Sequence, residues 1–175
     1  MAATEDTEIM RKVLVTICAY ESLVKDLHYR AQDEWFYALH TLADKIGDLK
    51  EPCDDLKEAY WLGWCQGVPP EEASIKADSA EYVKSMAFDS KVSNRDLVQS
   101  VQTLAADGVS IVEAAKAIPG LPGGIHAILD EISKAFLVAK GLCWRTLTHG
   151  GAITGEKEDG SGKQLAKYLE IVAAE

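Results

Sequence analysis

At 175 residues, 47% apolar and 26% charged, the chain has the length and composition for one domain with its own hydrophobic core. Its net charge of −10 and pI near 4.9 argue against a nucleic-acid backbone as partner, because such binding takes clustered Lys and Arg. The longest apolar runs are too short to span a bilayer, and the four cysteines form no CxxC pair, which excludes a zinc knuckle or a thioredoxin-type motif. Cys18, Cys53, Cys65 and Cys143 each lie among apolar neighbours at helical spacing and read as buried free thiols. Reduced thiols behind an acidic N-terminus with no signal-peptide pattern lead to the expectation of a cytoplasmic protein.

The first predicted helix runs from about Thr7 to His28, with Met10, Val13, Leu14, Ile17, Val24 and Leu27 recurring at three- and four-residue steps. Glu21 interrupts that stripe near its middle. The second starts near Asp33, a fitting N-cap, and runs to Trp64 on a stripe that includes Leu42, Ile46, Leu49, Cys53, Leu56 and Tyr60. Pro52 interrupts it, either as a kink or as the first turn of a new helix; the unbroken phase of the stripe favours a kink. Gly67 and the Pro69-Pro70 pair open a long connection, with one short helix expected around Ala80 to Met86. A third helix, capped at Ser93 or Asn94, runs to about Ile118 and stops at "PGLPGG". The fourth, "GIHAILDEISKAFLVAKGLCWRTL", carries the cleanest apolar stripe. A Gly-rich charged loop and a short helix follow His149. The prediction is an all-α fold: a four-helix bundle over 1–148, with a long connection between helices 2 and 3, then a C-terminal extension over 149–175.

The polar face of the second helix is unusual. At roughly 100° per residue, Asp44 lies about 40° to one side of His40, Asp54 about 40° to the other, and Glu58 almost directly in line. This ridge points roughly 150° away from the apolar stripe, so it faces outward from its own core. A solvated face is the plain reading of such a ridge. His and carboxylates are also the N and O ligands that iron, manganese and zinc accept. The flanking aromatics Trp35, Phe36, Tyr37 and Trp61 suggest a rim that meets another subunit.

These residues resemble the Dps-type mini-ferritins of the ferritin-like superfamily. His28 matches the histidine that ends the family's first long helix, with Tyr29 where tryptophan is usual. "FYALHTLAD" matches the FxxLH segment and gives His40 and Asp44, with the family's eleven residues between His28 and His40. "DDLKE" matches the D-x-x-x-E pair and gives Asp54 and Glu58, one residue earlier than the family's spacing. The last helix also resembles the family's closing helix. The likeness covers about residues 7 to 148 and is strongest over 28 to 62.

The resemblance implies a ferroxidase site at a two-fold interface. His28, His40 and Asp44 of one chain and Asp54 and Glu58 of another would bind Fe(II), with peroxide or dioxygen as oxidant. Another divalent metal is compatible with the same ligands. The resemblance further implies a homo-oligomer, with a dodecameric shell as the family's usual form, and iron storage or peroxide protection as the role. The acidic N-terminus "MAATEDTE" lacks the lysines with which DNA-binding members hold nucleic acid, so no nucleic-acid partner is expected.

Besides an unrelated helical interaction protein whose whole polar ridge is solvent-exposed, two other readings compete. One is a bundle-core metal site on Glu21 and His28, with Asp107 and Glu113 from the third helix, although the usual Glu-x-x-His pairs are missing. The other is a ferritin-like bundle without ferroxidase activity, serving as an assembly or binding module. His126 and Asp130, four apart beside the last apolar stripe, read as a packing or interface contact.

Overall fold

Glu5 and Asp6 occupy the first turn of α1 (Thr4–Arg30), where the partial positive charge of the unpaired amides favours carboxylates. The computed structural model describes residues 4–30, 45–86 and 94–148, and among these the protein is all-helical, with five helices and no strand. The predicted stripe of α1 is realised: Met10, Val13, Leu14, Ile17 and Val24 are buried, joined by Tyr20 and Leu23. Glu21, at the break in that stripe, is half-buried.

The second helix, α2 (45–64), changes type twice. A 3-10 turn over Lys45–Leu49 leads into an α-helical run, Lys50–Leu56, and then a π-helical run, Lys57–Trp64. Pro52 falls in the first turn of the α-helical run, the position where a missing N–H disrupts no helical bond. The change of helix type therefore takes the place of the expected kink. In the π-helical run each turn holds more residues, as the bond from the Cys65 amide to the Tyr60 carbonyl five residues back shows (2.7 Å). The wider turn brings the adjacent Tyr60 and Trp61 both into the core, at 0% and 3% exposure. Trp61 is thus a core residue and not part of an aromatic rim. Gln66, in the left-handed region at φ 53°, ends the helix.

The connection holds more helix than its composition suggested. The third helix, α3, spans Glu72–Ser85, where a shorter one around Ala80 to Met86 was expected. It buries only Ile75 and Ser79, so the apolar periodicity that would reveal it is nearly absent. It packs on α1, tied there by Arg11, which donates to Ser74 Oγ (2.7 Å) and pairs with Asp78.

The last two helices, α4 (Asn94–Lys116) and α5 (Gly123–Thr148), form the most extensive packing pair. They run antiparallel: Gly108 lies against Phe136, and Lys116 Nζ reaches Asp130 Oδ1 at 2.7 Å nearer the turn. A Cβ on Gly108 would stand 2.6 Å from the Phe136 ring, so glycine permits the close approach. Gly120 turns the chain at φ +77°, and Ile118 and Leu121 fold inward from the turn. Helices α1, α2, α4 and α5 share one core, crossed by the edge-to-face contact of Tyr20 with Phe136 (centroids 5.4 Å). The start of α1 meets the end of α2, where Thr7 Oγ1 and the Tyr60 hydroxyl are 3.3 Å apart. No helix of the described residues is long and apolar enough to cross a membrane.

Candidate functional site

Asp54 and Glu58 stand one turn apart on α2, both exposed, while Leu49, Leu56 and Tyr60 of the same helix are buried. The outward direction predicted for these carboxylates therefore holds. They straddle the junction of α-helical and π-helical geometry, Asp54 in the last α turn and Glu58 in the first π turn. Interruptions of this type occur frequently at functional sites. Solvated carboxylates of this kind are hard oxygen donors suited to Fe(II), Mn(II) or Mg(II).

His28 lies in the last turns of α1, whose backbone is described there. His40 and Asp44 fall outside the described residues, as does the aromatic group Trp35, Phe36 and Tyr37. Among the described residues of one chain, no group of three or more His, Cys, Asp or Glu side chains converges to hold a metal. This bears directly on the bundle-core alternative. Glu21 lies on the α2 side of α1, whereas Asp107 accepts the Tyr82 hydroxyl in the groove between α1, α3 and α4. Glu113 pairs with Lys116 at 3.3 Å. Asp107 and Glu113, both on α4, are exposed and form no metal-holding group with Glu21. His126 is half-buried and Asp130 is exposed and bound to Lys116, so the pair contributes to the α4–α5 turn.

The thiols differ from their expected uniformity. All four are free, but only Cys143 is fully buried; Cys18, Cys53 and Cys65 are half-buried. Burial pushes the Cys143 thiol up to about 12, and burial, followed by Glu21, does the same to Cys53. Burial thus disfavours the thiolate form of both.

Two concavities went unseen in the sequence. One, of about 490 Å³, opens between α1 and α2 beneath the start of α3. Glu21 lines it with Cys18 and Cys53. Burial raises the Glu21 carboxyl above its ordinary range, opposed by Lys25 and Lys57. The break in the α1 stripe was the signal available for this cavity. The other, of about 520 Å³, is the groove between α1, α3 and α4, floored by Val15 and Ile111. It depends on the unforeseen length of α3.

No family model matches the chain, and neither a curated protein nor a solved structure does.

Proposed function

We propose that the protein is a Dps-like mini-ferritin that takes Fe(II) as substrate at a site shared by two copies of the chain. The observation that carries this reading is the placement of Asp54 and Glu58: exposed, one turn apart, and facing away from their own core. Donors so placed leave a cation open on the side away from the chain, where a second copy can complete the ligand set. In the proposed site His28, His40 and Asp44 of one protomer supply the remaining ligands, and Asp54 and Glu58 of the partner subunit the carboxylates. The long connection between α2 and α4, carrying α3, also suits a ferritin-like bundle with its single crossover.

The chemistry asked of the protein is modest. Carboxylates favour the higher charge of Fe(III) over Fe(II) and so assist electron loss. With peroxide as oxidant, two Fe(II) each give up one electron, and the peroxide leaves as two waters after taking up two protons. Dioxygen is the other candidate oxidant. A closed homo-oligomer, with a dodecameric shell as the specific form, would retain the ferric product.

The test is aerobic or peroxide-driven Fe(II) oxidation by purified protein, followed by absorbance of the ferric product, with metal analysis of the protein as isolated. Oxidation well above the protein-free rate, lost in the His40→Ala, Asp44→Ala double variant, is the expected result. An unchanged rate in that variant rules out the interfacial site. A chain that neither binds nor oxidises iron would instead be a ferritin-like binding or assembly module.

A further inference from the structure

The cavity between α1 and α2 is graded in polarity. Along α1 its wall passes from Leu14 and Ile17, both buried, to Glu21 and then Lys25, which is exposed. Ile75 of α3 closes the apolar end, and Gly47 and Lys50 of α2 border it as well. Its volume of about 490 Å³ lies in the range of small-molecule sites, and clefts between bundle helices are common places for them.

Charge decides what would enter. Four lysines (Lys25, Lys50, Lys57 and Lys76) line this one cavity of a protein whose net charge is −10. Three acids line it too, and their pairings matter. Glu72 meets Lys76 at 3.4 Å, and burial raises the Glu21 carboxyl while the charges of Lys25 and Lys57 oppose the rise. Asp54 lies at the outer edge, on the exposed face of α2. Among the described residues Lys50 of α2 makes no ion pair, and Lys25 lines the cavity from the α1 wall.

We propose that this cavity binds an anionic amphiphile, a medium-chain monocarboxylate, with its chain along Leu14, Ile17 and Ile75 and its head group at Lys25 and Lys50. The site goes beyond the iron reading: of the proposed iron ligands only Asp54 borders the cavity, and the head group does not use it. Its apolar end contributes affinity through burial of methylene groups, and its lysines select the sign of the head group.

The test uses the full chain and a fluorescent undecanoate probe, displaced by decanoate, decanol or decylamine. Decanoate should displace the probe more effectively than either chain-matched control. The Lys50→Glu variant changes one exposed position that makes no ion pair among the described residues, so its helicity by circular dichroism should match wild type. It should bind decanoate at least about tenfold more weakly, with decanol unchanged. Gly47→Trp supplies an independent check. Gly47 borders the cavity and a Cβ there meets nothing within 4 Å, so the indole is accommodated at the rim and should weaken probe binding. Absence of probe binding to the wild type overturns the proposal. So does decylamine competing as well as decanoate, or decanoate affinity within about twofold of wild type in the charge-reversed variant.

Discussion

The two neighbours of the core differ sharply in how closely their helices meet. Between α4 and α5 the approach is so tight that Gly108 has no room for a methyl group against Phe136. Between α1 and α2 there is space for about 490 Å³, and Gly47 at its edge faces nothing within 4 Å. The contrast follows from side-chain choice. Leu129, Ile132, Phe136 and Ala139 present an unbroken apolar stripe to α4, which close packing rewards. On the α1–α2 side, Cys18, Glu21, Cys53 and Lys57 interrupt the stripes with groups that stay half-buried. A bundle can thus take its stability from one pair of helices and leave another pair open for chemistry.

Gly108→Ala should destabilise by about 1–3 kcal/mol, since Phe136 is fully buried and cannot swing aside; urea unfolding measures it. A neutral result would show that the close approach is not rigid. Next in size, Tyr60→Phe removes the 3.3 Å contact with Thr7 that joins the start of α1 to the end of α2, at a cost of about 0.5–1.5 kcal/mol. Gly47→Ala should do the opposite of Gly108→Ala. It restricts the unfolded chain without a steric cost, and should raise stability by about 0.4–1 kcal/mol in the same unfolding assay.

The subtlest prediction concerns Glu21. The folded protein holds this carboxyl's proton more tightly than the unfolded chain, so its contribution is fully present below the unfolded pKa of about 4.3. That contribution is lost as pH rises through the elevated folded value. Glu21→Gln should therefore remove part of the fall in stability above the carboxylate range, and gain on wild type as pH rises from about 4. Parallel pH profiles of the urea midpoint would show that Glu21 is not desolvated.

The comparison also explains what the sequence could reveal. Helices α1, α4 and α5 were legible nearly to their ends because their apolar residues recur at 3.6-residue spacing and "PGLPGG" marks the turn. Helix α3 was under-read because it buries one isoleucine and one serine, leaving almost no stripe. Counting 100° per residue puts Trp61 beside the polar ridge, but that pitch fails in the π-helical run and Trp61 is buried. Of the proposed iron ligands, spacing placed Asp54 and Glu58 on the outer face, and both are exposed there. The cavity was invisible because it arises from two half-polar faces in different helices, and only Glu21 hinted at one of them.

The most direct test of the shared iron site is complementation. One double variant, His40→Ala with Asp44→Ala, and another, Asp54→Ala with Glu58→Ala, should each lose Fe(II) oxidation. Co-expressed, they should regain about a quarter of the wild-type rate: a mixed pair contains one intact site and one doubly broken site, and half of randomly formed pairs are mixed. Recovery at that level is the predicted result. No recovery from a mixture shown to contain both chains in one assembly, or full activity in either variant alone, would contradict it.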